Sequence, residues 1–266
     1  MVFLPALVVV AAAGAPQLLA PSGMQLIGRF RTSGSAVDFD MPGCEIRAIL
    51  QLTKASEVSL KLAQRHSPVP PGSGNTKNSG FEANAFVVWV DGQRLGAGGH
   101  NATFTTLKNQ SEIPFLQSLG SMSAGSHTVR ILKATEADWN GGSPAPNYVS
   151  FYGLQVGSGD GEQIAALAPP PPLPSRKLEF LGDSITAGFC NECQTPDINP
   201  GAHKQGFGAT WDFQIGQILK AQIHTAAWSG LGMIKNCCGG NTTMPSIFSR
   251  TLATVNTDNT WRWNSW

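Results

Sequence analysis

The chain has 266 residues and a formal net charge of +1, with 41% hydrophobic and 13% charged positions, against roughly 25% charged in ordinary globular chains. That balance allows a sizeable core, is the reverse of what disorder needs, and gives no net field to draw in nucleic acid or an acidic membrane. The apolar runs are short and punctuated by 30 Gly and 18 Pro, which disfavours a coiled coil and a membrane span.

The chain opens with MVFLPALVVVAAAGAPQLLA. Val2 to Ala13 is an apolar run of signal-peptide length, shorter than the roughly 20 residues of a spanning helix. Small residues from Ala11 to Ala15 offer cleavage near Ala15 or Ala20, although no Lys or Arg precedes Arg29. A signal peptide over residues 1–20 is the expectation, and with it secretion. Asn101, Asn109 and Asn241 head Asn-x-Ser/Thr triplets and are candidate glycosylation sites.

From Ile27 to Gly157 the grammar is that of short strands. VDFDMPGCEIRAILQL and EVSLKLAQR alternate, and AFVVWV runs into the hairpin dipeptide Asp91-Gly92. HTVRILKATE and NYVSFYGLQV complete the set, and Pro68 to Gly80 reads as a long surface loop. An antiparallel all-β sandwich or jelly roll is predicted over residues 24–160. Trp89, inside VVWV, is expected to pack, while Trp139 is a candidate for glycan stacking.

Pro169 to Pro172 and Pro174 hold an extended spacer and mark a linker over 161–176. Beyond it the pattern changes to strand (LEFL, Leu178 to Leu181), helix (FGATWDFQIGQILK) and strand (IHTAAW). That is the unit of a parallel α/β sheet, and it is predicted over 177–266. The helix carries Phe207, Trp211, Ile215, Ile218 and Leu219 on its predicted buried face.

Both loops that follow these strands carry chemistry. The first reads Gly182-Asp183-Ser184-Ile185-Thr186-Ala187-Gly188, the second Trp228-Ser229-Gly230-Leu231-Gly232. In an open parallel sheet the ligand crevice lies beyond the carboxyl ends of the strands, so the two loops should face one another. A serine at a strand-to-helix turn presents its hydroxyl outward, and its own N–H points at an anion forming beside it. Gly182 lets the backbone turn, and Gly230 offers a second N–H. This is half of an acyl-transfer site.

Cys190 and Cys193 follow the first loop, Cys237 and Cys238 the second, and Cys44 stands apart as an expected buried thiol. Two disulfides joining one pair to the other are expected. The same cysteines have the ligand types of a zinc site, but adjacent cysteines meet one tetrahedral ion awkwardly, so no metal is expected. Trp261, Trp263 and Trp266 are expected to cover a core, with sugar stacking the alternative.

GDSITAG after an apolar strand resembles the first block of the SGNH, or GDSL-type, hydrolases. The succession GRF, VDFDMPGCEIR, VWVDG, LEFLGDSITAGF and AAWSGLGMIKN is similar to carbohydrate esterase family two. Its members carry a jelly roll ahead of a flavodoxin-like SGNH domain, and the similarity runs from about Ile27 onward. The resemblance implies removal of acetyl groups from an acetylated polysaccharide or oligosaccharide, without metal or organic cofactor. It implies Ser184 as nucleophile and the Ser184 and Gly230 N–H groups as oxyanion donors, with Gly182 and Asp183 supporting the turn. The family's Gly-x-Asn-Asp block and its Asp-x-x-His, which supplies the general base, are absent before Trp266. None of His66, His100, His127, His203 and His224 stands in that context. The expectation is therefore an SGNH domain incomplete at its C-terminal side, in a truncated esterase of doubtful activity by itself. The alternative is a non-catalytic glycan-binding sandwich with a remnant hydrolase domain.

Overall fold

A computed structural model of the protein describes residues 15–66, 84–96, 103–106, 113–137, 147–157, 163–193, 206–237, 241–255 and 257–262. Most of the expected signal peptide, the Pro68 to Gly80 loop, His100, His203, Asn101, Asn109, Trp139, Trp263, Trp266 and Cys238 lie outside the described residues.

The first thirteen strands are β1 (Gln17–Leu19), β2 (Gln25–Ile27), β3 (Arg31–Ser33), β4 (Ala36–Phe39), β5 (Glu45–Leu52), β6 (Ser56–His66) and β7 (Ala85–Val90), then β8 (Gln93–Arg94), β9 (Phe104–Thr105), β10 (Phe115–Met122), β11 (Gly125–Lys133), β12 (Asn147–Val156) and β13 (Ala165–Ala168). They form two antiparallel sheets, matching the expected jelly roll. One runs β10-β6-β12-β4-β3 with β1 on β12; the other runs β13-β5-β11-β7-β8 with β2 on β5 and β9 on β7.

Alternation explains the packing. Ile46, Ala48, Leu50 and Leu52 of β5 meet Val58, Leu60 and Leu62 of β6 and Val149 and Phe151 of β12 in the common core. A register shift between Phe151 and Gly153 then sends Leu154 and Val156 inward. Gly153 is required there, because a side chain would run into the Leu19 carbonyl of β1.

The sandwich is larger than the predicted 24–160. β1 precedes it and β13 extends it, because Ala165 to Ala168 pair with Leu52 to Ile49 of β5. The expected linker therefore begins inside a sheet. From Pro169 onward the proline run is tied at both ends: Gln25 Nε2 donates to Pro171 O and Gln222 Nε2 to Pro174 O.

The remaining elements are β14 (Lys177–Gly182), α1 (Ser184–Ala187), α2 (Trp211–Ile218), β15 (Gln222–Ala227) and α3 (Met244–Phe248). β14 and β15 are parallel, with Gly182 opposite Ala227. This unit packs on the outer face of the second sheet, where Leu132 joins Phe207, Phe213 and Ile223 in one cluster. Strands β7 and β11 are thus covered on both faces, which is why AFVVWV reads as a continuous apolar run.

The expected helical face is met in part: Phe207 is fully buried, whereas Trp211, Ile218 and Leu219 are exposed. α2 begins at Trp211 after a 3-10 turn at Phe207–Ala209, and it buries Asp212, Phe213 and Gly216. Trp211 is 46% and Ile218 78% exposed. The reason is Gly216: without a side chain it lets α2 settle against Ile223 of β15, and Asp212 accepts a hydrogen bond there from Thr225 Oγ1 (3.0 Å). Burial holds the Asp212 carboxyl above the usual carboxylate range.

Candidate active site

Strand β14 ends at Gly182, and the chain turns at once into α1. Gly182 is needed because any Cβ there would run into Thr186 Oγ1, so the turn closes only on a bare α-carbon. Asp183 caps the turn: its carboxylate accepts from Ile185 N–H (3.2 Å), and its carbonyl from Ala187 N–H (2.9 Å). Ser184 is the first helical residue and half-buried, with Ile185 beside it 73% exposed. Gly188 at φ +84° ends the single helical turn in the left-handed region.

Strand β15 ends at Ala227, and Trp228 N–H donates to Gly182 O (3.3 Å). That bond brings the two expected loops together at one end of the strand pair. Trp228 O accepts from Leu231 N–H (3.2 Å), closing a four-residue turn with Gly230 third at φ +78°. Ser229 is not at positive φ, so the turn is type II, which favours glycine at its third position. Among the described residues, neither Ser184 N–H nor Gly230 N–H has a protein acceptor. Both remain available to an oxygen arriving between the loops.

Further on, Asn236 braces the second loop. Its Oδ1 accepts from Gly232 N–H (3.0 Å) and its Nδ2 donates to Thr242 O (2.7 Å).

The cysteines pair differently from expectation. Cys190 is bonded to Cys193, so the bridge closes within the first pair and does not cross to the second. The cause is local: Cys190 at φ +61° turns the chain back, and its carbonyl accepts from Cys193 N–H (3.0 Å). Cys237 is also disulfide-bonded. Cys44 is a buried free thiol, as expected, and burial pushes it up to about 12. Among the described residues no cluster of three metal-ligating side chains occurs.

Among the described residues, neither the His127 nor the His224 side chain is placed beside Ser184. His127 pairs with Asp91 on the sandwich surface (2.7 Å). His224 lies opposite Glu179, three residues before the end of β15, about 10 Å along the strand. It is buried, packs against Trp261 and is held down at about 3 by that burial and by Arg29 and Lys177. Trp261 is buried as a core cover, and its Nε1 donates to Glu179 Oε1 (3.2 Å). Trp89 is half-buried under the Arg130 guanidinium, and Asn241 is exposed.

Two carboxylates that the sequence did not single out hold the second unit to the sandwich. Asp40 accepts from Ala253 N–H (3.0 Å), Thr254 N–H (2.8 Å) and Thr254 Oγ1 (2.8 Å). Glu136, just after β11, accepts from Ser229 N–H (2.6 Å) and Ser229 Oγ (2.9 Å). The available signal was a glutamate closing the apolar strand HTVRILKATE. Its partner lies 93 residues away, out of reach of any local pattern.

Comparison with known proteins follows the same lines. The chain is 32% identical over 164 residues to the cellulase/esterase CelE of Acetivibrio thermocellus, a match covering 62% of this chain and 17% of that protein. A family two carbohydrate esterase from Clostridium thermocellum, solved with cellohexaose, superposes with a TM-score of 0.68 at 21% identity, covering 89% of this chain and 61% of the other. One from Cellvibrio japonicus gives 0.66 at 19% identity, over 93% and 63%. The resemblance is to carbohydrate esterases of family two. An acetyl xylan esterase from Butyrivibrio proteoclasticus shares the fold as well, with a TM-score of 0.66 at 17% identity, over 90% of this chain and 56% of that one. No family model matches the chain. It spans less than two thirds of the length of each of these relatives.

Proposed function

We propose that the protein is a secreted, serine-type carbohydrate esterase that removes acetyl groups from polysaccharide, with Ser184 as its nucleophile. The observation that carries this reading is the bond from Trp228 N–H to Gly182 O, which sets Ser184 and Gly230 at the same end of one strand pair. The similarity to family two esterases supports the reaction class, and the parallel pair β14 and β15 with its helices is consistent with the α/β unit expected of an SGNH domain. The Cys190–Cys193 bridge and the apolar first twenty residues support an oxidising, extracellular setting.

Ser184 Oγ attacks the ester carbonyl carbon, and the carbonyl oxygen becomes an oxyanion held by the Ser184 and Gly230 N–H groups. Collapse breaks the bond to the sugar oxygen, which leaves protonated. Water then attacks acetyl-Ser184, releasing acetate and restoring the hydroxyl. Asp183 holds the turn through Ile185 N–H and takes no proton. A general base must accept the Ser184 proton; His224 is too far down its strand and, held at about 3, too weak to do so.

The test is hydrolysis of an acetylated chromogenic ester by the full-length protein. Ser184→Ala is expected to lower kcat by about 10⁴-fold or more, as loss of a nucleophile does in serine enzymes. Undiminished turnover in that variant would refute the assignment.

A further inference from the structure

The sandwich reaches into the candidate site at one point. Glu136 is 3% exposed and Ser229 6%. A buried N–H and a buried hydroxyl both need acceptors, and one carboxylate satisfies both through its two oxygens. The main chain that carries Glu136 is held as well. Lys133 Nζ donates to Thr135 O (2.7 Å), Thr135 Oγ1 (3.1 Å) and Glu136 O (2.9 Å), and Ala134 O accepts from Phe207 N–H (3.1 Å).

Ser229 is the second residue of the type II turn and Gly230 the third. The peptide joining them carries the Gly230 N–H, and exchange between type I and type II turns reverses the direction of that peptide. Holding Ser229 at both its backbone and its hydroxyl fixes the plane from which that peptide departs. The arrangement is costly to build, because a carboxyl group is buried to secure the turn that carries Gly230.

We propose that Glu136 is the positioning residue of the oxyanion loop: by accepting both Ser229 hydrogens it aims the Gly230 N–H, and so makes the sandwich a working part of the esterase site. This inference rests on the esterase reading above. It assigns Glu136 no contact with substrate and no proton transfer. Its effect is on the transition state, where the oxyanion exists, and so on kcat more than on KM.

The experiment measures kcat and KM on an acetylated chromogenic ester, with a thermal melt of each variant, for full-length wild type, Ser184→Ala, Glu136→Gln, Ser229→Ala, Ser229→Thr and the Glu136→Gln/Ser229→Ala pair. Complete loss of one oxyanion donor costs about 10²- to 10³-fold in kcat, so a misaimed donor is expected to cost about 10- to 100-fold in Glu136→Gln with KM changed less than about threefold. Ser229→Ala is expected to fall about tenfold while Ser229→Thr, which keeps the hydroxyl, stays near wild type, and the pair is expected to be no worse than Glu136→Gln alone. Should Glu136→Gln fail to fold, the Ala-against-Thr contrast at Ser229 decides. Ser184-dependent turnover that survives Glu136→Gln and Ser229→Ala overturns this inference alone. A loss that raises KM as much as it lowers kcat, or that tracks the melt, overturns it too. Wild-type protein without Ser184-dependent turnover overturns the esterase reading and this inference with it.

Discussion

Around Ser184 the decisive residues are those that lack a side chain or hide a charge. Gly182→Ala has no room beside Thr186, so the turn must open, and a loss of about 1–3 kcal/mol in urea unfolding is expected together with loss of esterase turnover. Unchanged stability would show that the turn adapts. His224 yields a prediction with a sign. Its ordinary value is 6.5, and the folded protein holds it down at about 3 through burial, Arg29 and Lys177. Between those values the unfolded chain binds more protons, so stability is complete above about pH 6.5 and falls as the pH drops toward about 3. His224→Gln should flatten that part of a plot of urea midpoint against pH, and an unaltered slope would contradict the assignment. Ser184, Gly182 and Asp183 were legible in the sequence because a strand, a glycine and a serine in immediate succession define one turn. Glu136 was not, because its meaning comes from a buried partner in another unit.

Among the elements, β5, β6, β11 and β12 were legible from alternation, β7 from its apolar run before Asp91-Gly92, and β14 and β15 from the strand–helix–strand pattern. Strand β10 escaped notice: FLQSLGSM mixes Gln, Ser and Gly, and its register shifts between Ser118 and Gly120. Strands β1, β2, β3, β9 and β13 are two to four residues long, too short to show a period. Helix α2 shows a subtler failure. Counting apolar residues chose the face with Trp211 and Ile218, whereas contact was decided by Gly216, which contributes nothing to an apolar count. Gly216→Leu should therefore destabilise the protein by about 1–3 kcal/mol or more through overpacking against Ile223. Ile218→Ser, at an exposed position, should stay within about 0.5 kcal/mol. Equal effects in thermal melts would mean that the expected face is the buried one.

At the scale of the molecule, the proline run does not separate two independent bodies. Ala226, Met244, Ile247 and Ala253 belong to the same apolar cluster as the sandwich core. Arg29, fully buried in the sandwich, donates to Phe248 O (2.8 Å), Arg250 O (2.8 Å) and Glu179 Oε1 (2.8 Å), and its guanidinium lies 4.7 Å from the Trp261 ring centroid. The conflict between composition, which pointed to a linker, and packing, which joins the units, is settled by these few buried polar residues. Arg29→Met removes a donor from three acceptors, of which Glu179 Oε1 keeps Trp261 Nε1, and should cost about 3–5 kcal/mol in urea unfolding, whereas a loss under about 1 kcal/mol would show the units to be loosely joined. The central claim is that the hydroxyl of the half-buried Ser184 can be reached by a reagent beside the Ser184 and Gly230 N–H groups. The most direct test is reaction of the full-length protein with a fluorophosphonate, followed by mass-spectrometric mapping of the modified peptide. The account predicts a single stoichiometric adduct on Ser184, abolished by prior unfolding; a native protein that stays unlabelled there, or labels at another serine, would contradict it.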